Sequence, residues 1–182
     1  MKSILLSLVT LALASCAGRS TPAVEVQEVS MTLSITSTAF PQGQPIPPAY
    51  TCDGKGISPP LAWSGAPAGT KSLALIMDDP DAPAGTFVHW VIYNIPSSAT
   101  GLPEAVSKDA RLADGSLQGP GSAGRAGYTG PCPPSGTHRY FFKLYALDTV
   151  LDISGAGKDQ LLNAMQGHVL AEGELMGTFS RQ

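Results

Sequence analysis

Charge is scarce in this chain: Lys and Arg number 11 and Asp and Glu 14 among 182 residues, for a formal net charge of −3. With no basic excess, the chain lacks the electrostatic footprint of a nucleic-acid-binding protein, and nucleic acid is not an expected partner. Histidine and cysteine are scarcer, at 3 each. None of them stand at the close His/Cys spacing of a zinc motif, and no serine sits in a G-x-S-x-G setting, so a zinc site and a Ser–His–Asp hydrolase both lack their usual signatures. No internal repeat is present. What abounds is glycine, at 20, and proline, at 16. A chain of this length with that composition reads as one domain with a substantial core and many braced turns.

The first apolar run, Ile4 to Leu13 after Lys2, is too short to span a bilayer but suits the core of a signal peptide. It ends in Leu13-Ala14-Ser15-Cys16, which resembles the lipobox of bacterial lipoproteins, where the cysteine is lipidated and becomes the mature N-terminus. Residues 1–16 are therefore expected to be a lipoprotein-type signal, with the chain anchored to a bacterial envelope through Cys16. Ala17 after the cysteine fits sorting to the periplasmic side of the outer membrane in a Gram-negative host. The alternative is an ordinary secretory signal, a bystander Cys16 and a soluble periplasmic or secreted protein. Residues 17–30 are small and polar with no apolar period, and read as a tether; the domain is expected over 31–182. An exported chain meets an oxidising space, so Cys52 and Cys132, both in Gly/Pro-rich loops, are candidates for a disulfide rather than two separate thiols.

Within the domain, Met31 to Phe40 alternates apolar and polar residues, as a half-buried strand does. Ile57 to Trp63 reads as an edge strand because Pro59 and Pro60 bar it from the middle of a sheet. The stretch Ser72 to Tyr93 organises the chain. Two apolar, β-type runs flank Asp78-Asp79-Pro80-Asp81-Ala82-Pro83, whose prolines stop the first strand, and the second run carries His89. From Ser97 to Pro134 the chain is loop-like, with helix formers only over Ala105 to Leu112. Thr137 to Leu147 is then a strand that puts His138, Tyr140, Phe142 and Leu144 on one face. Lys158 to Glu174 has Leu161, Leu162, Met165, Val169 and Leu170 at helical spacing and reads as a helix, with His168 on it as a surface or capping residue; Leu175 to Arg181 is a short final strand.

Asp79 at one strand end, His89 on the next strand, and His138 with Tyr140 on a third are polar groups on apolar, proline-braced elements. Taken singly, Asp79 is as well explained as a turn carboxylate and each histidine as a buried, satisfied imidazole. If the strands are neighbours, the four groups converge into a set of donors suited to a phosphate or carboxylate, tempered by the Asp79 charge. Trp63, Trp90 and Phe141-Phe142 are core or pocket wall.

The Asp78 to Pro83 segment followed by His89-Trp90, and Gly127-Tyr128 through Pro134 followed by His138-Arg139-Tyr140, resemble the two signature regions of the phosphatidylethanolamine-binding proteins, also called Raf kinase inhibitor-like proteins, in their bacterial branch. The resemblance covers about Leu33 to Arg181. It implies a mainly β fold, a sandwich-like core of antiparallel sheets with peripheral helices, one near the C-terminus. It also implies a small pocket for phosphate, acetate, cacodylate or phosphoryl head groups, without cofactor or enzymatic activity. Carried over by position, that pocket consists of Asp79, Pro83, His89, Pro133, His138 and Tyr140, with Asp78 and Asp81 bracing the loop. A protein-interaction or inhibitor module with an unused pocket is the alternative function, and self-association into a homodimer is a further implication. Bacterial relatives usually carry Asn-Asp-Phe before the Gly-Tyr segment, where this chain has Gly121-Ser122-Ala123, which places the local hydrogen bonding of that loop in question.

Overall fold

The computed structural model describes residues 33–181, so Cys16 and the expected signal and tether lie outside the described residues. The fold is mainly β, built on two antiparallel sheets. The larger sheet takes five strands in the order β6-β4-β3-β7-β8, and the smaller takes three in the order β1-β2-β5. In chain order these are β1 (Ser34–Thr36), β2 (Leu61–Ser64), β3 (Ser72–Asp79), β4 (Phe87–Pro96), β5 (Gly101–Leu102), β6 (Leu117–Gly119), β7 (Gly136–Leu147) and β8 (Val169–Arg181); among the described residues there is one α-helix, α1 (Lys158–Met165), before β8, and a short 3-10 turn at Pro48–Tyr50.

The large sheet is covered on both faces, which explains why every residue of β3 is buried and its sequence is a continuous apolar run rather than an alternation. On one face Leu73, Leu75, Met77, Trp90, Phe142 and Leu144 pack against the small sheet through Ile35, Leu61 and Trp63. On the other, Ala74, Ile76, Val91 and Tyr93 receive Leu161 and Met165 of α1. Successive side chains of β3 therefore serve different cores. This alternation separates Asp78 from Asp79.

Several local expectations are corrected. The helix stops at Met165, and Gly167, at φ +78°, turns the chain into β8, which begins at Val169 rather than Leu175. Val169 and Leu170 are consequently exposed strand residues, and His168 sits in the turn, its Nδ1 2.8 Å from Asp148 Oδ1. The period of β8 is two, with Ala171, Gly173, Leu175, Gly177 and Phe179 pointing inward, but glycine hides it from a hydrophobicity pattern. Those glycines are required by close approach: a Cβ on Gly173 would stand 1.8 Å from the Leu33 carbonyl oxygen, and one on Gly177 2.6 Å from Ile46. The first strand is shorter than expected, Ser34–Thr36. β2 is the centre of its sheet and not an edge, because Pro59 and Pro60 precede the paired residues. Ala105 to Leu112 is not helical: Ala105 takes φ +58°, and the Ala105 and Val106 amides donate to Ser58. The long loop contains two short strands, β5 and β6.

Cys52 and Cys132 form a disulfide, Cα–Cα 5.4 Å, that closes 80 residues of chain. Closing so long a loop restricts the unfolded ensemble, and by chain entropy stabilises the fold by about 4 kcal/mol. Urea unfolding with and without reductant is expected to show a loss of that order; equal midpoints would place the stabilising effect elsewhere.

Candidate functional site

The prolines that end β3 also shape the site. Asp79 is the last residue of β3, and it is buried at 3% exposure. One of its oxygens, Oδ1, accepts the Asp81 amide at 2.8 Å, fixing the turn; the other, Oδ2, lies 2.7 Å from His138 Nδ1 on β7. Asp79 is thus a turn carboxylate and an imidazole partner at once. A buried carboxylate needs such partners, since its desolvation is otherwise several kcal/mol unfavourable.

His89 reaches the same place through a β-bulge. Met77 pairs with Trp90 and Asp78 with Val88, so one step on β3 spans two on β4 and His89 is the extra residue. A bulge re-aims side chains. Without it His89 would face away from Trp90; with it, both lie on the side of the larger core, and the His89 ring stands edge-on to Tyr140 at 5.2 Å. The ring is anchored reciprocally: the Thr129 amide donates to the His89 carbonyl at 2.9 Å, and His89 Nδ1 donates to the Thr129 carbonyl at 2.8 Å. Burial lowers the His89 pKa from its ordinary 6.5, opposed by the Thr129 bond and the Asp79 charge. The ring is therefore neutral near pH 7.

These groups border a cavity of about 170 Å³. Of the residues predicted for the pocket, Asp79, Pro83, His89, Pro133 and His138 line it. Tyr140 does not: it packs behind His89, and its hydroxyl is buried without a hydrogen-bond partner among the described residues. Burial, with the Asp79 and Asp81 charges, pushes the Tyr140 pKa well above its ordinary value, so the phenol keeps its proton. Sequence reasoning missed Phe87, Thr129 and Cys132 in the lining. Phe87 and Thr129 follow from neighbours of named residues, and Cys132 from its place beside Pro133.

The neighbouring acids divide. Asp81 braces the rim as expected: the Arg139 guanidinium bonds both its oxygens, at 2.9 and 2.7 Å, and holds its pKa down at about 2. Asp78 is no loop brace. It lies in β3 facing the smaller core, buried at 1%, with Lys143 Nζ 3.1 Å from Oδ1 and Lys158 Nζ 2.5 Å from Oδ2. A larger depression of about 630 Å³ opens beside Pro120 and Lys158. It holds no converging set of this kind, since the Lys158 ammonium is occupied by Asp78.

The Gly121-Ser122-Ala123 departure keeps the loop bonded to β4. The Ser122 amide donates to the Val88 carbonyl at 2.9 Å, and Ser122 Oγ accepts the Val88 amide at 2.8 Å. Gly121 is needed there, because a Cβ would stand 2.5 Å from the Val88 carbonyl oxygen.

Two facing antiparallel sheets, with a proline-braced acidic turn and a histidine from each strand flanking β3, define a phosphatidylethanolamine-binding-protein fold. Residues 36–180 match the phosphatidylethanolamine-binding protein family, and the chain belongs to it. A UPF0098 protein of Methanothermobacter thermautotrophicus is 57% identical over 150 residues, 82% of this chain and 99% of the relative. One from Chlamydia muridarum is 48% identical, again over 82% of this chain and 99% of its own. Among solved structures, a phosphatidylethanolamine-binding protein homologue of Chlamydia trachomatis superposes with TM-score 0.77 at 45% identity, covering 84% of this chain and all 100% of that one. YbcL of E. coli, described as a member of the mammalian family, superposes with TM-score 0.76 at 32% identity, over 82% and 99% of the two chains.

The His89 environment sets a pH dependence. The unfolded ring takes up a proton near pH 6.5 while the folded ring resists it, so the unfolded state gains protons first and stability falls as pH drops below 6.5 toward the lowered folded value. Melting curves between pH 7.5 and 5.5 are expected to show that fall, and His89→Gln to flatten it; an unchanged slope in the variant would assign the dependence to other groups.

Proposed function

We propose that this protein is a non-enzymatic binder of small anionic groups, phosphate or a phosphoryl head group among them, working in the bacterial envelope. One observation carries the reading. Two imidazoles, each with Nδ1 committed to a protein oxygen, line a cavity of about 170 Å³ and leave both Nε2 atoms without a protein partner among the described residues. That volume is about five or six times the ~30 Å³ share of one liquid water and below the ~300 Å³ at which drug-sized pockets begin, so it suits a compact group and not a whole lipid. The apolar walls from Pro83, Phe87 and Pro133 lower the local polarity and so strengthen polar contacts made against them.

A hydrolytic role finds less support. Among the lining residues the cavity's one sulfur is held in the Cys52–Cys132 disulfide, and Thr129 is the one hydroxyl side chain. The Asp79–His138 pair orients an imidazole as a general base would be oriented, so a generic esterase screen remains the direct check. The envelope placement rests on the lipobox-like Leu13 to Cys16 and agrees with a disulfide, which persists in oxidising compartments. No helix among the described residues is long and apolar enough to cross a membrane; the attachment proposed is a lipid on Cys16. The second reading, an interaction module, is favoured by Val150, Val169 and Leu170, which are exposed at 60%, 43% and 42% on the strand and loop flanking the Asp148–His168 contact. A homodimer would use such a surface.

His138→Ala is expected to abolish binding of inorganic phosphate in a calorimetric titration while the circular dichroism spectrum is kept; unchanged affinity removes the pocket from the function and leaves the interaction reading. The intact mass of the full chain made in a bacterial host is expected to show cleavage before Cys16 and a lipid on it. A mass ending in an unmodified cysteine or at another residue would make the protein soluble.

A further inference from the structure

Both cysteines of the Cys52–Cys132 disulfide are exposed, and their sulfurs lie in opposite fields. Arg181 Nη1 donates to Cys132 Sγ at 3.4 Å, while Asp53 Oδ1 stands 3.8 Å from Cys52 Sγ. Arg181 Nε also lies 3.3 Å from Asp53 Oδ1, so the two charges hold one another in place beside the bond. A guanidinium next to a sulfur stabilises negative charge on it, and a carboxylate opposes such charge. Of the two sulfurs, Cys132 is therefore the better able to leave as a thiolate. Access points the same way. Cys52 stands in a turn whose next three residues, Asp53, Gly54 and Lys55, are exposed, whereas Cys132 is flanked by the buried Pro131 and Pro133.

We propose that Cys52 is a modification site for small thiols, which open the disulfide in one direction and remain on Cys52 as a mixed disulfide. The incoming thiolate attacks Cys52 Sγ in line with the S–S bond. A new S–S bond forms between the thiol and Cys52 as the Cys52–Cys132 bond breaks, and the electron pair departs on Cys132 as a thiolate beside Arg181. No separate oxidant or reductant enters, because the thiol itself is consumed in the mixed disulfide. A second thiol that attacks the small-molecule sulfur releases Cys52 and completes the reduction. Exposed disulfides are the labile ones, and a leaving sulfur that carries charge well departs faster. The opened bond is also a tie to the cavity, since Cys132 and Pro133 line it. Modification thus removes the covalent link between the Cys52 turn and that wall.

Reduced glutathione is the probe. The full oxidised chain is exposed to it briefly at about pH 8, where a useful fraction of the thiol is ionised, free thiols are trapped with iodoacetamide, and the cysteine peptides are weighed. Glutathione on Cys52 with an alkylated Cys132 is expected to exceed the reverse pattern by about fivefold, the ratio that two exposed charge contacts acting in the same direction support. In urea, where the fold no longer holds Arg181 and Asp53 beside the bond, the two patterns are expected to become equal. Arg181→Gln, at the exposed end of β8, is expected to slow the opening and to lower the ratio at least about twofold. An even split in the folded chain, a majority of glutathione on Cys132, or a ratio that persists in urea or in Arg181→Gln overturns the directed opening. A folded chain that takes up no glutathione, while the chain in urea does, makes the disulfide an inert brace and overturns the modification site itself.

Discussion

The site depends on one buried ion–dipole junction, the Asp79 carboxylate. A carboxylate at 3% exposure is tolerable only where its oxygens are fully occupied, and here the turn amide of Asp81 takes one oxygen and the His138 imidazole the other. The first bond sets where the loop leaves β3; the second ties β7 to that loop and decides which imidazole nitrogen is presented to the cavity. Chain direction, strand neighbourhood and ring tautomer are therefore fixed by one side chain. Breaking either bond leaves a buried charge short of partners, which is more costly than losing a hydrogen bond at the surface.

Asp78 and Asp79 show how much follows from strand alternation. They are adjacent in sequence and carry the same chemical group, yet one faces the smaller core and two ammonium groups while the other faces an imidazole and a cavity. The lysine partners of Asp78 come from β7 and α1, so that ion cluster fastens the helix to the sheet. The pleat gives two carboxylates two tasks without any spacer between them.

The parts of this arrangement visible in the sequence are those written in proline and in uninterrupted apolar runs. β3, β4 and β7 are legible because Pro80 and Pro83 end one strand and Pro133 and Pro134 precede another, and because Asp79, His89 and His138 interrupt otherwise apolar surroundings. The family resemblance then supplied the pocket as a set. What stayed hidden has physical causes. Gly173 and Gly177 face inward because other chain segments pass against them, so β8 lost its alternation and its start was absorbed into a helix. The bulge at His89 shifts register by one residue and leaves no mark in a hydrophobic pattern. Pro59 and Pro60 lie before β2 and not in it, so the strand they seemed to push to an edge is paired on both sides. Tyr140 shares a face with His138, as period two requires, but that places its ring behind His89 and away from the cavity surface.

The proline-rich wall from Pro131 to Pro134 bears also on how quickly a ligand comes and goes. Each ring fixes its own φ, the Cys52 amide donates to the Pro131 carbonyl at 3.0 Å, and the disulfide at Cys132 ties the wall to a second loop. Such a wall is stiff and has little freedom to fold over an occupant. Association then needs no closing motion and proceeds at the pace of encounter, while residence depends on the few polar contacts at the cavity floor rather than on a lid that must reopen. For the small-anion binding proposed above, rapid exchange with the surroundings is the behaviour that such a wall favours.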